Sequence, residues 1–103
     1  VTEARYQAKF LKRARLEGWV AWKIQAPGTN GVPDTLLLVP TAKGHGRAVF
    51  VELKAAGEEP TDLQEYYLNL LRRCGFVAFW ADTTADIEDL IKYIRAQLRK
   101  RKR

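Results

Sequence analysis

The chain is poor in cysteine and histidine, with one of each in 103 residues. A lone Cys74 excludes an intramolecular disulfide and any cysteine-based zinc site within one chain, and it fits a reducing compartment. No apolar run is long enough to cross a bilayer, and no segment reads as a secretory signal, so the expected location is the cytoplasm and no membrane partner is expected. Internal repeats and low-complexity linkers are absent too. The length fits one domain, residues 1–103, carrying a basic tail at residues 99–103. Acids are outnumbered: 12 Asp and Glu face 18 Lys and Arg, a formal charge of +6. A surplus of that sign suits a polyanionic partner such as nucleic acid, although net charge speaks to association and not to fold.

What is present is an ordinary globular pattern, 47% hydrophobic and 29% charged. Residues 2–17 predict a helix, with Tyr6, Phe10 and Ala14 recurring every four positions and Gly18 placed to end it. Residues 19–25 alternate as a strand, followed by the loop-forming Ala26-Pro27-Gly28-Thr29-Asn30-Gly31. Residues 35–39 and 48–54 predict two further strands. Residues 61–74 predict a helix with the stripe Leu63, Tyr67, Leu70, Leu71 and Cys74, stopped by Gly75. Residues 76–81 predict a fourth strand. A last helix starts at Thr83 or Thr84 and carries Ile87, Leu90, Ile91, Ile94 and Leu98. The order helix, three strands, helix, strand, helix specifies an α/β domain with helices packed on a mixed sheet. Trp19, Trp22 and Trp80 fall on the predicted strands and read as core, Cys74 as a small core residue, and His45 as a turn residue.

Strand alternation sends Val49, Val51 and Leu53 to one face and Phe50, Glu52 and Lys54 to the other. A Glu/Lys pair alone describes a half-exposed strand. Asp34 changes that reading, because it stands at the start of the second strand behind Pro33. If the second and third strands pair as a hairpin, Asp34 approaches Glu52. Two neighbouring carboxylates repel unless a cation joins them or one is protonated. Oxygen ligands of this kind suit Mg²⁺ or Mn²⁺, which keep waters and gain phosphate ligands from a substrate. Phosphodiester hydrolysis uses such a centre, and Lys54 is placed to stabilise phosphate charge or to position a water.

Pro33-Asp34, a spacer, then Glu52-Leu53-Lys54 resembles the PD-(D/E)XK nuclease motif. With Glu3 in the first helix, Gly31-Val32-Pro33-Asp34, Val51-Glu52-Leu53-Lys54, Gln64 in the next helix and Gly75 beyond it, the chain resembles the VRR-NUC branch of that superfamily. The resemblance implies a restriction-endonuclease-like core. It implies Asp34 and Glu52 as metal ligands, joined by the Leu53 carbonyl and by Glu3 directly or through water, with Lys54 and Gln64 as catalytic residues. Glu3 also suits a helix N-terminus by charge alone, and Gln7 shares its face one turn on. Thr61-Asp62-Leu63-Gln64 is a capping box as well, a role that can coexist with one in the active centre. The family further implies Mg²⁺ or Mn²⁺ as cofactor and branched DNA, such as Holliday junctions or flaps, as substrate. Stand-alone copies in phages and bacteria, acting as homodimers, are implied as well; that setting is a bacterial or phage-infected cell. Arg5, Lys9, Lys12, Arg13 and Arg15 on the first helix, Lys23 and the tail are candidate phosphate contacts. A non-catalytic basic module that binds nucleic acid on the same fold is the alternative; the acid pair argues against it. A sequence-reading restriction enzyme is disfavoured, because little chain remains to read bases.

Overall fold

The computed structural model describes residues 2–41 and 44–99. Three helices pack on a mixed four-stranded sheet: α1 (Glu3–Leu16), β1 (Val20–Lys23), β2 (Thr35–Val39), β3 (Arg47–Leu53), α2 (Asp62–Arg73), β4 (Val77–Ala81) and α3 (Thr84–Arg99). This is the α/β class and element order that the sequence specifies. The boundaries follow local chemistry. Thr2 caps α1 by accepting from the Arg5 N–H, and Thr61 and Gln64 form a complete capping box on α2. Strand β1 is shorter than the alternation predicts, with Trp19, Ile24 and Gln25 outside it.

The sheet runs in the order β1-β2-β3-β4. Strands β1, β2 and β3 pair antiparallel, while β4 joins β3 in parallel after α2 provides the crossover that parallel pairing needs. The registers put Ala21, Thr35, Leu37, Val39, Val49, Val51, Leu53 and Ala81 on one face. There they meet Tyr6, Phe10 and Ala14 of α1 and Ile87, Leu90, Ile91 and Ile94 of α3 in the hydrophobic core. The side chain of Leu98, expected to continue that stripe, lies outside the described residues.

The opposite face carries Val20, Trp22, Leu36, Leu38, Phe50, Glu52 and Trp80. Helix α2 packs on the β4 side of it, and its buried line differs from the expected one. Leu68, which the expected stripe leaves out, is the side chain of α2 that is fully buried; Tyr67, Leu70 and Leu71 are partly buried, whereas Leu63 is exposed, and so is Cys74, which caps the helix instead of joining a core. Gln64 lies one turn before Leu68 and therefore on the same face. Trp19 is buried as expected, whereas Trp22 is 51% exposed because no helix covers β1 on its side. His45 is exposed in its turn, and its carbonyl accepts from the Thr41 hydroxyl.

Candidate active site

The loop before β2 delivers Asp34. Pro27 and Gly28 make a tight turn, closed by the Thr29 N–H on the Ala26 carbonyl, with Gly28 at φ 79°. Gly31 then passes against the first turn of α2 at φ 91°, where a Cβ would lie 2.8 Å from Leu63 Cγ and 3.2 Å from its backbone. Both the backbone angle and the missing side chain are needed at that crossing. Pro33 is buried immediately afterwards.

Thr35 pairs with Val51, so the register carried one step back sets Asp34 across from Glu52. The Ile24 N–H donates to the Asp34 carbonyl, so the Asp34 backbone faces β1. Its position opposite Glu52 is then of the non-hydrogen-bonded kind, in which facing side chains come closest. One further step sets Leu53 across from Pro33. Proline has no N–H, so the Leu53 carbonyl meets no ladder donor there.

Glu52 is 5% exposed, and its carboxyl is pushed up to about 7. Burial is the main cause and the charge of Asp34 the next; Lys54 opposes them, and Glu3 adds a smaller push upward. The other three charged groups of the motif therefore all act on Glu52. Gln64 connects two of them. Its Oε1 accepts from Lys54 Nζ at 3.2 Å and from the Thr61 N–H at 2.9 Å, while its Nε2 donates to Glu52 Oε2 at 3.3 Å. The capping role and the contact with the acid and the lysine thus coexist in one amide.

Gln7, buried on α1, donates from Nε2 to the Thr35 hydroxyl at 2.9 Å, and that hydroxyl donates to Asp34 Oδ1 at 3.4 Å. Nothing in the sequence singles out Thr35, since a β-branched residue in a strand needs no further reason to be there.

Among the described residues, no group of three or more His, Cys, Asp or Glu side chains is close enough to hold a metal ion alone. Glu3 is exposed in the first turn of α1. Two facing carboxylates and a backbone carbonyl set across from a proline nonetheless make an all-oxygen donor set, which fits a hard ion that retains water. Asp34, Glu52 and the Leu53 carbonyl are the groups that would hold it.

The cations of the first helix divide. Arg13 is bound to Glu17 and Glu88, and Arg15 donates to the Ala21 carbonyl. Arg5, Lys9 and Lys12 are exposed along one side of α1, and Lys23 is exposed on β1. Of the basic tail, residues 100–103 lie outside the described residues. No described helix is long and apolar enough to cross a membrane.

No family model matches the chain. A protein of Acyrthosiphon pisum secondary endosymbiont phage 1, named "Putative nuclease p44", is 38% identical over 64 residues, which are 62% of this chain. The matched stretch spans 64% of that relative's own length. A solved structure described as "VRR_NUC domain" superposes with a TM-score of 0.77 at 26% identity, over 88% of this chain and 95% of the other. A second, a "VRR_NUC domain protein", gives 0.71 at 19% identity, over 92% and 89% of the two chains, and speaks to the fold.

Proposed function

We propose, on the premise that this chain is a VRR-NUC domain by fold and by motif, that it is a metal-dependent DNA endonuclease acting on branched DNA as a homodimer. The observation that carries the reading is Glu52. A carboxylic acid buried on a sheet face, opposite a second acid and bonded to a glutamine that also holds a lysine, is costly to keep for packing alone. It suits a site where a cation offsets the repulsion. The nuclease name belongs to the phage relative, and the fold likeness supports carrying it across.

Bound there, Mg²⁺ or Mn²⁺ would polarise a phosphoryl oxygen and lower the pKa of a bound water. The chain's own residues do the rest. Asp34 and Glu52 supply the negative field. Gln64 keeps Lys54 beside Glu52, so the ammonium is in position to stabilise charge growing on the phosphate. Arg5, Lys9, Lys12 and Lys23 offer exposed cations to the DNA backbone. A purely binding module fits less well, because Asp34 and Glu52 would repel the phosphate it binds.

The test is cleavage of linear, flap and four-way DNAs with Mg²⁺, Mn²⁺, Ca²⁺ or EDTA, using the wild type and Glu52→Gln. Cutting is expected with Mg²⁺ and Mn²⁺, fastest on branched DNA, with Ca²⁺ supporting binding alone. Glu52→Gln is expected to lose cleavage by orders of magnitude while staying folded. Full activity in EDTA, or normal cutting by the variant, contradicts the proposal; equal rates on all DNAs leave a nuclease without branch preference.

A further inference from the structure

We infer that Gln7 and Thr35 are positioning residues that hold the Asp34 carboxylate in the orientation a divalent cation requires; this rests on the reading of Asp34 as a ligand. Gln7 is 7% exposed and sits on the core-facing side of α1 with Phe10 and Ala14. An amide buried among such neighbours costs stability unless it is hydrogen-bonded, and an apolar side chain would fill the same space without that cost. Its Nε2 donates to Thr35, whose side chain is fully buried at the head of β2. A hydroxyl that accepts there has one hydrogen left, and this one goes to Asp34 Oδ1.

The chemistry of the relay matters. An arginine or lysine in contact with Asp34 would fix the carboxylate but also cancel its charge. A neutral amide and a neutral hydroxyl fix one oxygen and leave the negative charge to a cation. At 3.4 Å the final contact is long, so it sets orientation without competing strongly for the oxygen. Glu52 and Glu3 can only accept when ionised, and Lys54 donates to Gln64, so among the described hydrogen bonds Thr35 is the side-chain donor to Asp34. Groups that hydrogen-bond a metal's ligands typically contribute about 10- to 100-fold in metal affinity.

The experiment titrates the full chain with Mn²⁺ in the absence of DNA, by calorimetry and by the Mn²⁺-dependent rise in Tm. Thr35→Val keeps the shape and deletes the hydroxyl, and about tenfold weaker Mn²⁺ binding is expected. Thr35→Ser should restore wild-type binding. Gln7→Leu should also weaken it, and the double variant should be no weaker than Thr35→Val alone, because both act through one chain of bonds. In cleavage, Thr35→Val should need more Mn²⁺ for half-maximal rate and regain the wild-type rate at saturation. Wild-type Mn²⁺ affinity in Thr35→Val, a loss that Thr35→Ser does not repair, or additive losses in the double variant would overturn the inference and leave the nuclease reading standing. Should Thr35→Val not fold, Gln7→Leu decides by the same titration. A wild type that binds no Mn²⁺ overturns both.

Discussion

At the scale of single residues, the unusual cost in this molecule is the Glu52 carboxyl. Its pKa rises from 4.5 to about 7 through burial first, then Asp34. In the window between those values the folded chain keeps a proton that the unfolded chain has released. Stability from this group is therefore complete below pH 4.5 and is lost as pH climbs through 7. Glu17 has the opposite sign: Arg95 and Arg13 pull its carboxyl down to about 2, so its contribution is complete above 4.5 and stays constant in the same window. The metal-free protein should therefore melt at a lower temperature at pH 8 than at pH 5.5. Glu52→Gln should flatten that difference, and Mn²⁺ should reverse it by favouring the ionised pair. Scanning calorimetry in EDTA and in Mn²⁺ checks this; a wild-type difference that persists in Glu52→Gln assigns the titration elsewhere. Asp34, Glu52 and Lys54 were legible in the sequence because strand alternation alone puts the last two on one face and the hairpin brings the first across. Thr35 was not, because nothing in a buried strand residue's name tells whether its hydroxyl has a task.

At the scale of elements, helix α1 has two faces with different work. The inward one holds the core and Gln7; the outward one carries Arg5, Lys9 and Lys12 at positions i, i+4 and i+7, on one side of the helix. Composition could count the basic residues of this helix but could not sort them, since the partners of Arg13 and Arg15 come from Glu88 on α3 and the carbonyl of Ala21. The sorting makes an expectation. Replacing Arg5, Lys9 and Lys12 with Gln should lower the salt dependence of DNA binding by about two to three units of log–log slope, at about 0.9 for each phosphate no longer neutralised. Replacing Arg13 and Arg15 should lower Tm and leave the slope alone. Binding isotherms over a range of salt concentrations in Ca²⁺ read the first effect. An unchanged slope in the triple variant would move the DNA to another surface. Helix ends were legible because Thr2 and Thr61 cap as their chemistry dictates. The buried line of α2 was not, because which of its apolar residues face the sheet depends on where the helix lands, and it lands on β3 and β4 with Gln64 and Leu68 inward.

At the scale of the molecule, the sheet is covered unequally. One face is closed by α1 and α3, but on the other α2 reaches the β4 side and leaves β1 and β2 open. Val20 is 41% exposed there, Trp22 51% and, beside the strands, Phe76 44%. A groove lined by Val20, Leu38, Pro40, Arg47, Ala48 and Phe76 lies beside the first and last of these; Trp22 stands outside it. Exposed apolar residues grouped on one face of a small domain are the kind of surface on which another protein can dock. A second copy is the occupant that the proposed chemistry asks for. One chain carries one acid pair and cuts one strand, whereas a four-way junction needs two cuts on opposing strands, and a two-fold pair supplies both centres symmetrically. Among the helices, α3 presents Tyr93, which is half-exposed but packs edge-on against Phe79 of its own chain. On the open sheet face, Trp22 has no such internal partner among the described aromatic pairs. The wild type is therefore expected to sediment as a dimer at micromolar concentration, and Trp22→Glu as a monomer, since a charge set into an apolar contact is left unpaired when the contact forms. The monomer should still nick linear DNA, because Trp22 takes no part in the hydrogen-bond network of the acid pair, but it should lose the paired cuts in a four-way junction. A wild type of strictly monomeric mass would refute the assembly. A Trp22→Glu variant that remains dimeric would return the contact to one of the helices.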